Sequence, residues 1–297
     1  MLKRTLVFSS PVSLSLKNAQ LVVTYKELPD EIRSVPIEDV GIVLIEHQMS
    51  SITMPLINAL SDANVALIIC DRRGMPNVYL QSMDQNNLQG EVLRNQLDAG
   101  EVLKKNLWKQ IVECKIRNQA NLLTKLNRGG EMLKPFYQTV KSGDSDNREG
   151  TAAKIYWPLL FGSDFVRNRD LDGVNSLLNY GYSVLRAAVA RALCASGLFP
   201  ALGIYHHNRS NAFPLADDVM EPYRPYVDEI VYDLWRHNQT ELNKETKAKL
   251  INVTYSDTIF ENLKRPLSVG LSFTTSSLAK CYAKEDKQLS YPVMPCR

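Results

Sequence analysis

The stretch that decides the fold of the larger part of this chain is LLNYGYSVLRAAVARALCASGLFPALGIYHH, residues 177–207. Apolar side chains recur every three or four positions as far as Leu193, which predicts a long helix with one wide apolar face. Gly197 ends that pattern, and Pro200 opens a short segment that closes on two histidines. The sequence therefore predicts an imidazole directly after a buried helix.

Helical patterns also lie on both sides of this stretch. The pattern from residue 88 to residue 127 predicts one long helix, or two helices joined near Gly100. Asp172 is a candidate cap for the helix that contains residues 177–193, and Pro225 fits the first turn of a later helix. We expect residues 258–280 to be moderately helical and the polar tail from Tyr282 to be mobile unless a partner orders it.

The first 82 residues follow a different pattern, with short β-branched or alternating runs between turn residues. One helix, from Ser51 to Leu60 with Ser50 or Ser51 as its cap, interrupts them. We therefore predict an α+β protein, with a small N-terminal β-rich domain (residues 1–82) and a larger all-α domain (residues 83–297) that carries the functional site. The predicted strands are Thr5–Phe8, Val12–Leu16, Leu21–Tyr25, Val40–Ile45, Val65–Cys70 and Val78–Leu80.

Composition narrows the class of protein only slightly. A content of 44% hydrophobic and 23% charged residues in 297 is ordinary for a soluble globular chain. The five cysteines form no C-x-x-C pair, and their odd number argues against a complete disulfide framework. No signal peptide is recognisable, and no apolar run approaches the roughly 18 residues that a membrane-spanning helix needs. We expect a cytoplasmic protein without a membrane partner.

Three acidic or imidazole positions suggest one metal site. Glu149 shares a helical face with two alanines and Tyr156, where a carboxylate needs a partner, and His206 closes the apolar run described above. Asp218 and Glu221 lie three residues apart, about one helical turn. Nitrogen and carboxylate oxygen ligands together suit Mg²⁺ or Mn²⁺.

Each of these residues also has a plainer interpretation. Glu149 is equally typical of an acid in the first turn of a helix, where it interacts favourably with the dipole. A lone histidine such as His206 is more often a hydrogen-bonded core residue than a ligand. Asp218 and Glu221 could belong to an acidic turn.

A basic run adds a second functional signal. Between residues 102 and 128, seven basic residues stand against one acidic residue, so this segment carries a net +6 although the whole chain carries only +3. Such a run is commonly a solvated helix face, but beside a metal site it favours contact with the phosphate backbone of DNA. The candidate contacts are Lys104, Lys105, Lys109, Lys115 and Arg117.

Three segments carry a resemblance to a known family: REGTAAKIYW (148–157), the run 177–207, and LADDVMEPYRP (215–225). In order and spacing they resemble the metal-dependent integrase of CRISPR spacer acquisition, the larger of the two proteins common to most adaptation modules. The NYGY and MEPYRP motifs are most similar to those of the versions in type II systems. The resemblance is strong over residues 149–236. Elsewhere it extends only to the general architecture.

The resemblance implies that Glu149, His206 and Glu221 bind the metal, with Asp218 as the neighbouring acid that supports the site. It also implies a homodimer formed through the β domains and bridged by a small ferredoxin-like partner, and in type II systems further effector subunits. The implied substrates are double-stranded DNA with 3′-hydroxyl ends and CRISPR repeat DNA. Two other functions remain open, a free-standing structure-selective metal-dependent nuclease and a DNA-binding scaffold with a vestigial site.

Overall fold

The computed structural model of the protein describes residues 3–72, 74–80, 86–209, 211–261 and 263–296. The chain divides into two compact units, Met1–Asn87 and Leu88–Arg297. The domain boundary predicted after residue 82 falls among residues 81–85, which lie outside the described residues. Among the residues described, no helix is both long enough and apolar enough to span a membrane.

The first unit contains two four-stranded sheets and one helix. The order of strands is β1-β5-β7-β8 in one sheet and β4-β3-β2-β6 in the other. The elements are β1 (Arg4–Phe8), β2 (Val12–Lys17), β3 (Gln20–Tyr25), β4 (Ile32–Pro36), β5 (Val40–Ile45), β6 (Ser51–Ile52), α1 (Met54–Asp62), β7 (Ala66–Cys70) and β8 (Pro76–Leu80), with a short 3-10 helix at Ile37–Asp39.

Burial explains the two kinds of strand sequence in this unit. All six residues of β5 are buried, and β5 pairs in parallel with β1 on one side and β7 on the other. A continuous apolar run is typical of such a parallel strand covered on both faces. β2 and β3 alternate between buried and half-buried residues, because only one face of their sheet packs against the core.

The six predicted strands are all present, and the structure adds two that the pattern missed. β4 pairs only with β3 and exposes its first three residues, so it lacks the apolar alternation that marks a half-buried strand. β6 has two residues, Ser51 and Ile52, where the sequence predicted the start of the helix. The helix begins at Met54 instead, because Pro55 fits only in the first turn.

The second unit is mainly helical, with one small sheet. Short 3-10 helices at Gly130–Leu133, Ser142–Asp144, Glu221–Tyr223 and Asn252–Tyr255 connect its elements. These elements are α2 (Gln89–Leu97), α3 (Glu101–Lys125), α4 (Lys134–Gln138), α5 (Arg148–Phe161), α6 (Val174–Ala195), α7 (Pro214–Met220), α8 (Arg224–Arg236), α9 (Lys244–Ile251), β9 (Asp257–Phe260), β10 (Leu263–Pro266) and α10 (Leu267–Tyr282).

Helix α6 is the centre of this unit. It is buried along most of its length, and Tyr180, Val184 and Val189 have no exposed surface. A Cβ atom at Gly181 would lie 2.4 Å from Val227 Cγ1 on α8, so the glycine of the NYGY segment permits a close crossing of the two helices. The residue at the N-cap of α6 is Gly173, one position after the predicted Asp172.

The prediction of an all-α second domain is wrong in one respect. Asp257–Phe260 (β9) and Leu263–Pro266 (β10) pair as antiparallel strands where the sequence predicted the start of a helix at Thr258. The β-branched and aromatic side chains of β9 are typical of strands. Pro266 occupies the N-cap position of α10, so the helix begins only at Leu267.

The C-terminal tail is docked, contrary to the prediction that it would be mobile. Met294 is buried, and its backbone N–H donates to Asn118 Oδ1 at 3.0 Å. The Asn118 side-chain amide donates to the carbonyl oxygens of Pro292, at 3.1 Å, and Pro222, at 2.8 Å. The composition of the tail does not reveal this docking, because polar side chains of α3, among them Asn118 and Asn121, satisfy its backbone groups.

We predict that Met294→Ala lowers the free energy of unfolding by about 2–4 kcal/mol, because it removes a buried side chain and leaves a cavity. The matched control is Val293→Ala, whose side chain is partly exposed and which should cost less than about 1 kcal/mol. Urea denaturation of both variants measures the difference. Equal small effects would show that the tail contributes nothing to stability.

Candidate metal centre

Glu149 is held in the first turn of α5 by a double cap. The Asp144 carboxylate accepts hydrogen bonds from the backbone N–H groups of Arg148 (2.8 Å) and Glu149 (3.1 Å). Asn147 Oδ1 accepts from Gly150 N at 3.1 Å. A Cβ atom at Gly150 would lie 2.6 Å from Asn147 Oδ1, so the glycine after Glu149 is required by the cap.

The inner face of α5 is anchored by a buried acid. Tyr156 on α5 and Tyr182 on α6 both donate their hydroxyl hydrogens to the carboxylate of Asp228 on α8, the former at 2.7 Å. Burial raises the pKa of Asp228 to about 6, although the two hydroxyl groups and nearby arginines act in the opposite direction. These contacts fix the helix from which Glu149 projects.

The loop that delivers His206 is held by the buried side chain of Gln96 on α2. Gln96 Nε2 donates to the carbonyl oxygens of Phe199 (3.0 Å) and Leu202 (3.1 Å), and Gln96 Oε1 accepts from Phe199 N (2.9 Å). A side chain thus satisfies backbone groups that have no partner in a helix or strand. This bonding restrains the segment between α6 and His206.

Asp218 on α7 organises the end of that loop. Its Oδ2 accepts from the N–H groups of Ile204 (2.6 Å) and Tyr205 (3.0 Å), and its Oδ1 accepts from His206 N (3.2 Å). A Cβ atom at Gly203 would lie 2.4 Å from the His206 carbonyl oxygen and 3.2 Å from Asp218 Oδ2. The glycine three residues before the histidine is therefore required for the carboxylate to approach the backbone.

Asp218 also orients the His206 ring. Asp218 Oδ1 lies 2.5 Å from His206 Nδ1, so Nδ1 donates to the carboxylate and Nε2 is left as the candidate ligating nitrogen. The hydrogen bond with Asp218 raises the pKa of the His206 imidazole despite partial burial. The His206 ring packs edge-on against Trp108. The Tyr205 ring stacks on Trp108, with 4.3 Å between the ring centroids. His207, the next residue, is exposed.

Glu221 is a buried carboxylate between two cations. Its Oε1 lies 2.9 Å from Arg224 Nε, and its Oε2 lies 2.5 Å from Lys115 Nζ. Burial favours the neutral acid, but the charges of Arg224 and Lys115 outweigh it and lower the pKa of Glu221. Arg224 is itself fixed, with its guanidinium 4.5 Å above the Tyr182 ring.

Lys115 joins the two predicted carboxylate ligands. Its Nζ lies 2.5 Å from Glu149 Oε1 as well as 2.5 Å from Glu221 Oε2, and only 8% of the residue is exposed. Burial opposes its charge, yet the two carboxylates raise the pKa of the Lys115 ammonium. This corrects the prediction that Lys115 contacts DNA phosphates from the surface, because its ammonium is committed to the two acids.

The other predicted phosphate contacts remain accessible. Lys105 and Arg117 are exposed, whereas Lys104 and Lys109 are half-buried. Lys104 lines a cavity of about 390 Å³ whose wall also includes the candidate ligand His206 and the cation Arg209. A basic opening therefore lies directly beside the oriented imidazole.

The acids and imidazole do not adopt a ligating geometry in this state. Across the described part of the chain, no three His, Cys, Asp or Glu side chains are arranged as a metal-binding group. The ammonium of Lys115 separates Glu149 from Glu221. The donors nevertheless fit a divalent cation, since they comprise two carboxylates and an oriented imidazole, and the buried Glu221 Oε2 accepts no hydrogen bond.

Comparison with known proteins places the sequence in one family. Residues 5–264 match the sequence profile of the family described as CRISPR associated protein Cas1. The CRISPR-associated endonuclease Cas1 of Neisseria meningitidis serogroup C (strain 8013) is 36% identical over 300 residues, which cover 99% of this chain and 97% of that protein.

Two solved structures share the fold. A casposase bound to an integration product superposes with a TM-score of 0.81 at 21% identity, covering 98% of this chain and 93% of that one. A chain of a Cas6-RT-Cas1–Cas2 complex gives a TM-score of 0.74 at 22% identity, covering 96% of this chain and 35% of that one. With the profile match and the Neisseria relative, the conclusion is that this chain belongs to the Cas1 family of CRISPR-associated proteins.

Proposed function

We propose that this protein is a metal-dependent DNA integrase and endonuclease that inserts DNA fragments into a CRISPR array as new spacers. Two observations carry the proposal: Lys115 brings Glu149 and Glu221 together, and the Asp218-oriented His206 interacts electrostatically with Glu221 and lines a basic cavity. The Cas1 endonuclease among its relatives and the casposase solved with an integration product support the same chemistry.

Glu149, Glu221 and His206 Nε2 would hold Mg²⁺ or Mn²⁺, the divalent cations that prefer oxygen and imidazole ligands. Such a cation, when bound, supplies Lewis-acid stabilisation of the charge that develops on the scissile phosphate. The protein contributes a fixed geometry, because Asp218 orients the imidazole and Arg224 holds one oxygen of Glu221. Basic residues around the cavity would neutralise flanking phosphates.

The reaction is an exchange of phosphodiesters. The 3′-hydroxyl oxygen of the incoming fragment forms a bond to phosphorus at the repeat junction, while the bond from phosphorus to the 3′-oxygen of the repeat breaks. The proton lost by the nucleophile balances the proton gained by the leaving oxygen. Water as the nucleophile gives hydrolysis instead, so a strand-transfer product separates an integrase from a free-standing nuclease.

The proposed partners follow from the family and from the charge distribution. The DNA substrates are duplex fragments with 3′-hydroxyl ends and CRISPR repeat DNA. We further propose a homodimer through the N-terminal β-rich unit and a bridge by a small ferredoxin-like protein. The solved Cas6-RT-Cas1–Cas2 complex, which contains a chain of the same fold, supports an assembly with a second adaptation protein.

We predict that Glu149→Ala or Glu221→Ala lowers the rate of strand transfer by more than about 10²-fold, because each removes a ligand at the reacting phosphate. Affinity for DNA should stay within about threefold, since it comes mainly from phosphate contacts. Strand-transfer assays on a repeat substrate and binding by fluorescence anisotropy measure the two quantities. A parallel loss of binding and catalysis would mean that these acids are structural.

We predict that His206→Ala abolishes Mn²⁺-dependent strand transfer, whereas His207→Ala keeps most of it. His206 is oriented by Asp218, while its neighbour is exposed. The two variants are matched in residue type and position, so each serves as the control for the other. Titration of Mn²⁺ against both variants measures the effect, and an inactive His207→Ala with an active His206→Ala would reverse the assignment.

The accessible lysines of α3 can be tested through the salt dependence of binding. Changing Lys104, Lys105 and Lys109 to alanine should weaken binding to repeat and random DNA alike. Each lost phosphate contact should reduce the slope of log affinity against log salt by roughly 0.9 for duplex DNA. The measurement is a binding titration at several salt concentrations.

A control with the same change of charge is the triple alanine variant of Lys244, Lys247 and Lys249 on α9. Its salt slope should equal that of the wild type, because α9 carries none of the predicted phosphate contacts. An unchanged slope for the α3 variant on both DNA substrates would show that those lysines form a solvated surface.

A further inference from the structure

We infer that Lys115 is a built-in counter-cation that occupies the metal position between Glu149 and Glu221, and that metal binding displaces it. The inference rests on the proposed function, since it takes these two acids as ligands of a divalent cation. It assigns to a residue of the basic run a role in metal exchange rather than in DNA binding.

The Lys115 ammonium lies where a metal ion bound by both acids would lie. Lys115 Nζ lies 2.5 Å from an oxygen of each acid, Glu149 Oε1 and Glu221 Oε2. Metal–oxygen bonds to Mg²⁺ are about 2.0–2.1 Å long, so a metal bound to the same two oxygens would overlap the ammonium. The two cations also repel each other, and burial weakens the screening of that repulsion. They therefore cannot occupy the site together.

The second cation at the site is built differently. Arg224 holds Glu221 Oε1 through Nε at 2.9 Å, and its planar guanidinium stacks over Tyr182. Lys115 instead has a flexible unbranched stem that carries a compact point charge. Arg224 can remain in place while Lys115 moves, so the acid keeps one fixed partner during exchange.

Two consequences follow for the protein without metal. The ammonium offsets the repulsion between Glu149 and Glu221, so the site can fold before any metal arrives. The same ammonium competes with the metal, so the apparent metal affinity is lower than the two acids and the imidazole would give alone. Removing the charge of Lys115 should therefore weaken the metal-free protein and strengthen metal binding.

The test uses Lys115→Gln, which keeps a polar side chain but removes the charge. Mn²⁺ alone is the probe, with affinity measured by isothermal titration calorimetry and stability by thermal melting. We expect Lys115→Gln to bind Mn²⁺ at least tenfold more tightly than the wild type, which is about 1.4 kcal/mol. Its melting temperature should be lower without Mn²⁺ and should rise more when Mn²⁺ is added.

The matched control is Lys125→Gln. Lys125 lies on the same helix, and its Nζ is also 2.5 Å from a carboxylate oxygen, Glu229 Oε1. This variant loses the same charge and the same kind of ion pair outside the candidate site. Its Mn²⁺ affinity and its Mn²⁺-induced rise in melting temperature should equal those of the wild type.

Every outcome for Lys115→Gln bears on the inference. Unchanged or weaker Mn²⁺ binding overturns it, as does a variant that fails to fold even with saturating Mn²⁺. A variant that folds only with Mn²⁺ supports it, because the metal then replaces the ammonium. Glu149→Gln tests the proposed function separately: if this variant binds Mn²⁺ as the wild type does, the metal site is misassigned whatever Lys115 does.

Discussion

The site depends on one buried carboxylate, that of Asp218. Its two oxygens accept three backbone N–H groups of residues 204–206 and the Nδ1 hydrogen of His206. A fully buried acid is tolerated because these hydrogen bonds replace its hydration. Asp218 lies one helical turn before Glu221. The hydrogen bond that orients the His206 imidazole therefore also keeps that ring near Glu221.

Acids inside the helical unit are each compensated by partners from other helices. Glu221 is paired with Lys115 of α3 and with Arg224, and Asp228 of α8 accepts from tyrosines of α5 and α6. Removing one partner of a buried charge is costly, because the remaining charge is left without compensation. The charged network therefore joins α3, α5, α6 and α8 and restrains the acids.

The basic run on α3 divides into two groups with different physical roles. Lys115 points inward to two carboxylates, whereas Lys105 and Arg117 are exposed. A count of charges treats these residues alike, since it contains no information on direction. The positive charge that marks the segment thus serves both the candidate metal centre and the surface proposed to face DNA.

The sequence by itself determined most of the strands and the long helices, and it singled out the acidic and imidazole candidates. Period-two and period-3.6 patterns predicted the strands and the long helices α3 and α6, because burial of one face imposes those periods. The same spacing places Lys115 on the buried face of α3 with Trp108 and Val112, a signal that its charge obscured. Contacts between residues far apart in sequence left no such pattern.

Only the tertiary structure decided which groups pair. Lys115 contacts Glu149, which is 34 residues away in sequence, and Glu221, which is more than one hundred residues away. Asn118 binds the C-terminal tail, whose polar composition had predicted mobility. The antiparallel pair of β9 and β10 likewise forms where a helical pattern was expected. The physical reason is that charge compensation and backbone hydrogen bonding are satisfied by whatever group folding brings near, and local sequence does not encode that proximity.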